Sequence, residues 1–329
     1  MQAEIDVRRK KIAILGLGGT IAGRSSHPGD NLGYSAGEIA VTDLLQSLPA
    51  SELVSFDVVS VQVAQVDSKD MDFSVWRRLL LVVGQHLAQA DVDAVVITHG
   101  TDTLEETAWF LHLALDPGLT AAKPVVLTCA MRPASSRSAD GPQNLLDALA
   151  VARLPQARGV VAVCTGAIHA AADVQKVHTY RLQAFDSGDA GALGYVEEGS
   201  VRMLRAWPTP PAQRSCKAAS DIAASDAWPR VEVVLNDAGA DGYVVDALIE
   251  HGLRVGRPVR GIVVAGTGNG TVHVALEGAL CRAQEAGVRV VRSTRCAYGR
   301  VLPLVDQVLA DSAGMSPVKA RIAMLLALI

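Results

Sequence analysis

The sequence lacks the features that would point to nucleic acid, to a membrane or to a metal ion. Its 329 residues include 30 Lys or Arg and 34 Asp or Glu, so the formal net charge is −4 and the scattered basic residues offer no surface for a phosphate backbone. No run of about 20 apolar residues is present that could cross a bilayer. We also find no H-E-x-x-H motif and no Asp, Glu or His cluster with metal-ligand spacing. We therefore expect no nucleic acid, membrane or metal partner.

Cysteine is scarce. An odd number of cysteines without a Cys-x-x-Cys pair does not indicate a disulfide framework. The five cysteines are Cys129, Cys164, Cys216, Cys281 and Cys296. We expect buried free thiols in a reducing compartment. The N-terminal stretch Met1 to Lys10 is polar and charged, and the apolar stretch behind it is too short and glycine-rich for a signal sequence, which favours a cytoplasmic protein.

Apolar residues are plentiful enough for two domains. Half of the residues are hydrophobic and 19% are charged, which suits a soluble chain with a large core. Strand-like and helix-like segments alternate, as in βαβ units with a parallel sheet. We predict an α/β protein with a larger, parallel-rich N-terminal domain over 1–206, a Pro- and Ser-rich linker over 207–228 and a smaller C-terminal α/β domain over 229–329.

Hydrophobic periodicity places the elements within each domain. The predicted N-terminal strands cover 11–15, 58–66, 94–96, 125–129 and 159–164, with helices over 73–90, 104–115 and 142–152. The predicted C-terminal strands cover 231–235, 261–264 and 288–291, with helices over 243–250, 272–286 and 317–328. The polar stretch 24–36 is predicted to be a loop, and hairpin-like strands are expected around Lys176.

Polar residues follow three of the predicted strands directly. Thr20, Ser68, and Thr101 with Asp102 each stand where a strand ends. Since ligands collect outside the carboxyl ends of parallel strands, one crevice is expected to gather these side chains. The alternative is that Thr101 and Asp102 only cap the helix that follows them.

Two glycine-rich turns are not nucleotide motifs. In Gly16–Gly23, the β-branched Ile21 occupies a position that G-x-G-x-x-G would fill with Gly or Ala, and no Lys-Ser/Thr pair follows Gly266–Gly270. The first turn is better explained as a close approach to a small ligand that exposes Thr20. No G-x-S-x-G motif is present, so a hydroxyl nucleophile without a histidine base remains, and His99 is more typical of a packing residue than of that base.

Several longer motifs resemble the bacterial-type L-asparaginase family. They are Gly18-Gly19-Thr20-Ile21-Ala22-Gly23, His99 to Thr107, Ala130-Met131-Arg132-Pro133, Ser138 to Pro142 and Val291 to Arg295. The resemblance covers nearly the whole chain. It implies a homotetramer, a dimer of dimers, of two-domain α/β subunits. It also implies an amidohydrolase without cofactor that splits L-asparagine into L-aspartate and ammonia.

The resemblance also assigns chemical roles. It implies that Thr20 is the nucleophile with Tyr34 beside it, and that Thr101, Asp102 and Lys176 form a second, hydrogen-bonded trio. A threonine hydroxyl is a poor nucleophile at neutral pH, so it needs a base within reach and donors for the oxyanion. Whether Lys176 and Thr101 activate the nucleophile or a water stays open, as do a packing role for Tyr34 and a solvated Lys176.

Substrate contacts are implied in the same way. Ser68 and Asp102 would hold the α-carboxylate and α-ammonium, the turn at Ala130 would supply an oxyanion donor, and Asn269 would reach a neighbouring protomer's site unless it caps a helix. Lys69 departs from the family, which commonly has Gln or Glu there. Either its ammonium turns to the substrate carboxylate or to an adjacent acid, or the substrate lacks an α-ammonium.

A second departure follows Arg295, where we cannot place the acidic residue that the family often contributes across the subunit interface. The alternative functions are a glutaminase or another small-amide hydrolase. From a different class, the chain could be a non-catalytic protein of the same fold that binds an amino acid or a nucleotide.

Overall fold

A computed structural model describes residues 9–209, 219–225, 227–303, 305 and 308–329. Residue contacts divide the chain into two compact units, one up to Gln213 and the other from Arg214 onward. Each unit has its own sheet and its own core. The mixed α/β architecture with a larger and a smaller sheet confirms the predicted fold class.

The larger unit is built around one long sheet with helices between its strands. Its strands are β1 (Lys10–Gly18), β2 (Arg24–Ser25), β3 (Tyr34–Ser35), β4 (Phe56–Val66), β5 (Ala94–Thr98), β6 (Val125–Thr128), β7 (Val160–Cys164), β8 (Ala167–Ala170), β9 (Gln175–Lys176), β10 (Phe185–Asp186), β11 (Gly194–Glu197) and β12 (Ser200–Met203). Its helices are α1 (Val41–Gln46), α2 (Ala50–Leu53), α3 (Phe73–Ala88), α4 (Leu104–Ala114), α5 (Pro117–Ala122) and α6 (Gly141–Ala152). Short 3-10 helices cover Thr20–Ala22, Ser68–Asp70 and Gly188–Ala190.

Eight of these strands form the main sheet in the order β12-β11-β8-β7-β6-β5-β1-β4. The strands from β7 to β4 run parallel, so their carboxyl ends share one edge. β8, β11 and β12 continue the sheet in antiparallel pairs. The parallel half therefore carries the edge at which the predicted polar turns can meet.

Helices cover both faces of the parallel half. Ile12 and Ile14 of β1 face α1 and α6 in one hydrophobic cluster. On the other face α3 and α4 pack together, with the Trp76 and Phe110 rings stacked at 4.7 Å between centroids. β5, β6 and β7 are buried along their whole length. Near-continuous apolar strands are what a sheet covered on both sides requires.

Two small hairpins lie beside the main sheet. β2 and β3 pair inside the stretch that the sequence predicts as a loop, so that prediction is wrong for 24–25 and 34–35. Their two-residue length leaves no hydrophobic period to detect. β9 pairs with β10 in the second hairpin, which confirms the strands expected around Lys176.

The smaller unit repeats the α/β pattern. It contains α7 (Ala219–Ala224), β13 (Arg230–Leu235), α8 (Tyr243–Arg254), β14 (Val259–Gly266), α9 (Val274–Glu285), β15 (Arg289–Thr294), β16 (Ala310–Asp311) and α10 (Pro317–Leu328). The four strands pair in parallel in the order β13-β14-β15-β16. α8 and α9 share a core with one sheet face, while α10 packs on β13 and β14.

The predicted element types agree with the structure, and most limits shift by one to four residues. α1, α2, α5 and β16 were not predicted, since they are too short for a periodic signal. The predicted linker 207–228 contains α7, whose Ile222 is buried, while 210–218 and 226 lie outside the described residues. The domain limits themselves stay a prediction.

The cysteines fit the sequence analysis only in part. Cys129 and Cys164 are buried free thiols at the ends of neighbouring strands, with sulfur atoms 3.4 Å apart. Cys281 is partly exposed and Cys296 is exposed, so the expectation of burial is wrong for these two. Both lie in the smaller unit, Cys281 on a helix at the margin of the hydrophobic core and Cys296 in a loop. Cys216 lies outside the described residues.

Candidate active site

Three strand-end turns of the larger unit meet backbone to backbone. An added Cβ at Gly19 would lie 2.2 Å from the Gly100 Cα, and one at Gly100 would lie 2.4 Å from the Ser68 hydroxyl oxygen. Gly18 and Gly19 also have φ angles of 93° and 78°, which residues other than glycine rarely adopt. The glycines thus allow the turns after β1, β4 and β5 to touch, as the predicted crevice requires.

Thr20 and Tyr34 form a hydroxyl pair. The Thr20 Oγ1 atom lies 2.6 Å from the Tyr34 phenol oxygen, and Thr20 is buried at the start of a 3-10 turn. A Cβ at Gly23 would collide with the Tyr34 ring at 2.8 Å, so this glycine makes room for the aromatic side chain. Burial raises the pKa of Tyr34 above its ordinary value, and the Thr20 hydrogen bond opposes that rise. Tyr34 is therefore a neutral phenol at physiological pH.

Thr101, Asp102 and Lys176 form the hydrogen-bonded trio that the resemblance implies. Lys176 Nζ donates to Thr101 Oγ1 at 2.8 Å and makes an ion pair with Asp102 Oδ1 at 2.6 Å. The Lys176 side chain is only 18% exposed, which limits the screening of this pair by water. Thr103 occupies the N-cap of α4, so the alternative that Thr101 and Asp102 merely cap this helix is wrong.

Ser68 connects the turn after β4 to the trio. Its hydroxyl oxygen accepts the Asp102 backbone N–H at 3.1 Å, and its carbonyl accepts the Thr103 hydroxyl at 2.8 Å. The residue is only 2% exposed. These two bonds fix Ser68 against the backbone of the turn that carries Asp102.

The turn after β6 brings Ala130 to the same place. Ala130 is buried in one small cluster with Ile21, the residue after the proposed nucleophile. The Asp140 carboxylate accepts the backbone N–H groups of Met131 and Arg132 at 3.0 and 2.9 Å. Its placement was not foreseen, although an acid just before a helix signals a cap; here it binds the preceding turn instead.

His99 is a packing residue, in agreement with the sequence analysis. It is fully buried, with Nδ1 2.7 Å from the Gly100 carbonyl and Nε2 2.8 Å from Thr107 Oγ1. The Trp76 indole N–H donates to the same Thr107 oxygen at 3.0 Å. Burial lowers the His99 pKa to about 4. With both nitrogens engaged, His99 supports the turn at Gly100 as a neutral ring.

Lys69 turns toward adjacent acids. Its ammonium pairs with the Asp70 carboxylate and lies 3.8 Å from an oxygen of Asp67. The side chain is 61% exposed, and the Asp70 contact raises the Lys69 pKa. Among the orientations that the sequence left open, the structure shows the one toward neighbouring carboxylates.

Asn269 belongs to the smaller unit, in the turn between β14 and α9. Its Oδ1 atom accepts the Leu302 N–H at 2.7 Å, and its carbonyl accepts a hydrogen bond from buried Arg292 at 3.0 Å. His273 is the N-cap of α9, so the alternative of Asn269 as the cap of this helix is wrong. The role of Asn269 at a neighbouring protomer's site stays a prediction.

Glu105 is a residue whose place at the site the sequence analysis missed. In the sequence Glu105 is typical of an acid in the first turn of a helix, where it complements the helix dipole. Its Oε2 atom accepts the Lys176 backbone N–H at 2.8 Å. The signal was its position three residues after Asp102, about one helical turn along the same chain segment.

The comparisons with known proteins agree with this geometry. Residues 11–209 match the asparaginase N-terminal family model, and residues 230–329 match the glutaminase/asparaginase C-terminal domain. L-asparaginase 2 of Bacillus subtilis is 35% identical over 324 residues, which cover 96% of this chain and 82% of the relative. A glutaminase-asparaginase of Pseudomonas fluorescens is 33% identical over 99% of this chain and 88% of the relative.

A solved structure is similar throughout. The crystal structure of a probable cytoplasmic L-asparaginase from Campylobacter jejuni has a TM-score of 0.87 and 35% sequence identity. The match covers 97% of this chain and 95% of that chain. Two matching domain models, full-length relatives and the same fold lead to one conclusion: the chain belongs to the asparaginase family and is an amidohydrolase.

Proposed function

We propose that the chain hydrolyses the side-chain amide of L-asparagine to L-aspartate and ammonia, with Thr20 as the nucleophile. The observation that supports the proposal is the close approach of Gly19 and Gly100, the residues directly before Thr20 and Thr101, which belong to the Thr20–Tyr34 and Thr101–Lys176 pairs. An amide hydrolase needs such a nucleophile, a proton relay and a fixed positive charge in one place.

The first half of the reaction forms an ester on Thr20. Thr20 Oγ1 bonds to the amide carbon, and its proton passes to the Tyr34 oxygen while the phenol releases its own proton toward the leaving nitrogen. The C–N bond then breaks and ammonia departs. A neutral phenol suits this exchange because it can accept and donate at once. Backbone N–H groups at Ala130 and Thr101 would stabilise the oxyanion.

The second half hydrolyses the ester with water. Lys176 donates to the Thr101 oxygen at 2.8 Å, so the hydroxyl proton of Thr101 points elsewhere and can orient the attacking water. The water gives its oxygen to the acyl carbon and returns a proton to Thr20. Aspartate leaves with the enzyme restored. Asp102 holds the Lys176 ammonium beside Thr101 through their 2.6 Å ion pair.

The α-groups of the substrate would bind at Ser68 and Asp102. One Asp102 oxygen is engaged by Lys176, and its half-exposed carboxylate can also receive an α-ammonium. The buried Ser68 hydroxyl, which accepts the Asp102 backbone N–H, is suited to the α-carboxylate. Since Lys69 is held by Asp70 and Asp67, its charge is turned to acids rather than to the substrate amine.

Ammonia release from asparagine tests the proposal. Thr20→Ala is expected to lower kcat by at least about a thousandfold, as loss of a nucleophile does, while substrate binding measured by calorimetry persists. Thr20→Ser retains a hydroxyl and should keep measurable turnover. A Thr20→Ala variant with near wild-type turnover would refute the nucleophile, and loss of substrate binding would indicate a folding defect instead.

The substrate is tested by comparing asparagine, glutamine and D-asparagine. The relatives include both L-asparaginases and glutaminase-asparaginases, so glutamine is the relevant competitor. We expect the highest kcat/KM with L-asparagine. A higher value with glutamine would make the chain a glutaminase, and binding without turnover of any amide would make it a binding protein.

Lys69 is tested with the substitution Lys69→Gln. Gln restores a neutral acceptor near the α-ammonium, so we expect a lower KM for asparagine and little change for an amide that lacks the α-amino group. An unchanged asparagine KM, together with faster turnover of the deaminated amide by the wild type, would show that asparagine is the wrong substrate.

We further propose a homotetramer, arranged as a dimer of dimers, in the cytoplasm. Family membership supports the assembly, and dilution should lower specific activity if Asn269 completes a neighbour's site. Unchanged specific activity at concentrations where sedimentation shows a monomer would contradict the proposed tetramer. For the compartment, one similar structure is named cytoplasmic, whereas a Haemophilus influenzae relative is named periplasmic. Among the described residues no helix is long and apolar enough to cross a membrane.

A further inference from the structure

Lys176 lies on a short hairpin that needs outside support. β9 and β10 contribute two residues each and form a two-stranded sheet of their own, apart from the eight-stranded sheet. A two-stranded hairpin is marginally stable in water by itself. The position of the Lys176 backbone therefore depends on contacts with other parts of the unit.

One such contact comes from the same segment that binds the Lys176 ammonium. Glu105 Oε2 accepts the Lys176 backbone N–H at 2.8 Å, while Thr101 and Asp102 accept from Nζ at 2.8 and 2.6 Å. Residues 101–105 thus hold Lys176 at both its backbone and its side-chain end. We infer that Glu105 is a positioning residue, which sets the place of the Lys176 ammonium through its backbone. This inference rests on the proposed function of Lys176.

The physical reason is that the Lys176 Nζ atom keeps one position only if the Lys176 backbone is held in place. Four rotatable bonds separate the Lys176 backbone from Nζ. If the hairpin shifts, the Nζ atom moves with it, and its hydrogen bonds to Thr101 and Asp102 become longer or less well aligned. A misplacement of about 1 Å can cost on the order of a hundredfold in rate. Since the contact is made to a neutral N–H, a side-chain amide oxygen can replace the carboxylate.

The competing explanation is that Glu105 only complements the helix dipole. Glu105 and Glu106 both stand in the first turn of α4, where an acid complements the helix dipole. Glu106 is therefore a matched control with the same charge and nearly the same distance from the helix end. The two explanations differ in what Glu105→Gln does, because Gln keeps the acceptor and loses the charge.

The experiment compares Glu105→Ala, Glu105→Gln and Glu106→Ala in the full-length enzyme, with kcat, KM for asparagine and melting temperature measured. We expect Glu105→Ala to lower kcat about 10- to 100-fold with KM changed less than about threefold. Glu105→Gln should retain at least about a third of kcat, and Glu106→Ala should resemble wild type. Equal losses in Glu105→Ala and Glu106→Ala would overturn the inference. So would wild-type kcat in Glu105→Ala.

A double-mutant cycle with Lys176→Met separates this inference from the function on which it rests. If Glu105 acts through Lys176, adding Glu105→Ala to Lys176→Met should change the residual kcat less than about twofold. Additive losses would place Glu105 in another role and overturn the inference alone. Wild-type kcat in Lys176→Met would refute the role of Lys176, and the inference with it. If Glu105→Ala does not fold, Glu105→Asp replaces it, since it keeps the charge and withdraws the acceptor by one methylene.

Discussion

The buried ring of His99 should make the larger unit sensitive to acid. In the folded state burial lowers the His99 pKa from its ordinary 6.5 to about 4. The unfolded chain therefore binds a proton between these two values that the folded chain does not. Stability conferred by the neutral ring is fully present above pH 6.5 and is lost as the pH falls toward 4.

The magnitude follows from the shift. A lowering of the His99 pKa by about 2.5, at about 1.4 kcal/mol for each pKa unit, corresponds to a contribution of about 3.5 kcal/mol, most of which is lost between pH 6.5 and pH 4. Down to pH 5 the loss should be about 2 kcal/mol. The structural reason is that an imidazolium would lie at a fully buried position, with its ring nitrogens next to the Gly100 carbonyl and the Thr107 hydroxyl and without a carboxylate among these two partners.

The assay is urea unfolding at several pH values, followed by tryptophan fluorescence, for wild type and His99→Gln. Gln does not titrate, so carboxyl titrations elsewhere are common to both proteins and cancel in the comparison. We expect the variant to be less stable at pH 7 because two buried hydrogen bonds are altered. Its stability should then fall less than that of wild type between pH 7 and pH 4. Parallel curves for the two proteins would refute the reasoning.

Four further expectations concern the site. Thr101→Val should lower kcat at least about a hundredfold with little change in fold, because Val has nearly the same shape as Thr but lacks the hydroxyl. A loss in kcat below about threefold would exclude a proton-transfer role for Thr101. Tyr34→Phe should lower kcat by a comparable factor, whereas Tyr195→Phe, on β11, should not. Because the Tyr34 pKa is raised, the phenol stays neutral from about pH 7 to 9, and its ionisation should cause no change in the wild-type kcat over this range. Gly100→Ala should abolish turnover and lower the melting temperature, because a methyl group there would collide with Ser68. Wild-type kinetics in that variant would contradict the described contact.

The strand ends could be predicted from the sequence, but their contacts could not. Alternating apolar segments place Thr20 and Thr101 at carboxyl ends of parallel strands, which is enough to expect a shared crevice. That Gly19 touches Gly100 depends on the order of strands in the sheet, where β1 lies between β4 and β5. Sequence order alone does not give that arrangement, since β5 follows β4 along the chain.

Two-residue elements are a second limit. The hairpin of β2 and β3 sets Tyr34 against Gly23, and that of β9 and β10 sets Lys176 against Glu105. Neither is long enough to show a period of two residues. Lys176 and Tyr34 were therefore reached through resemblance to a family, whereas Thr20, Ser68 and Thr101 were reached from pattern as well.

Burial separates the hydroxyls proposed for catalysis and substrate binding from the residue that departs from the family. Thr20, Thr101 and Ser68 are each less than 10% exposed and lie in turns that touch through glycine, so a substitution there disturbs packing as well as reactivity. The Lys69 side chain is 61% exposed and pairs with neighbouring acids on the surface. A change at such a position costs little stability. We therefore expect a substitution of Lys69 to change how the α-ammonium is bound while the buried hydroxyls of Thr20, Thr101 and Ser68 keep their positions.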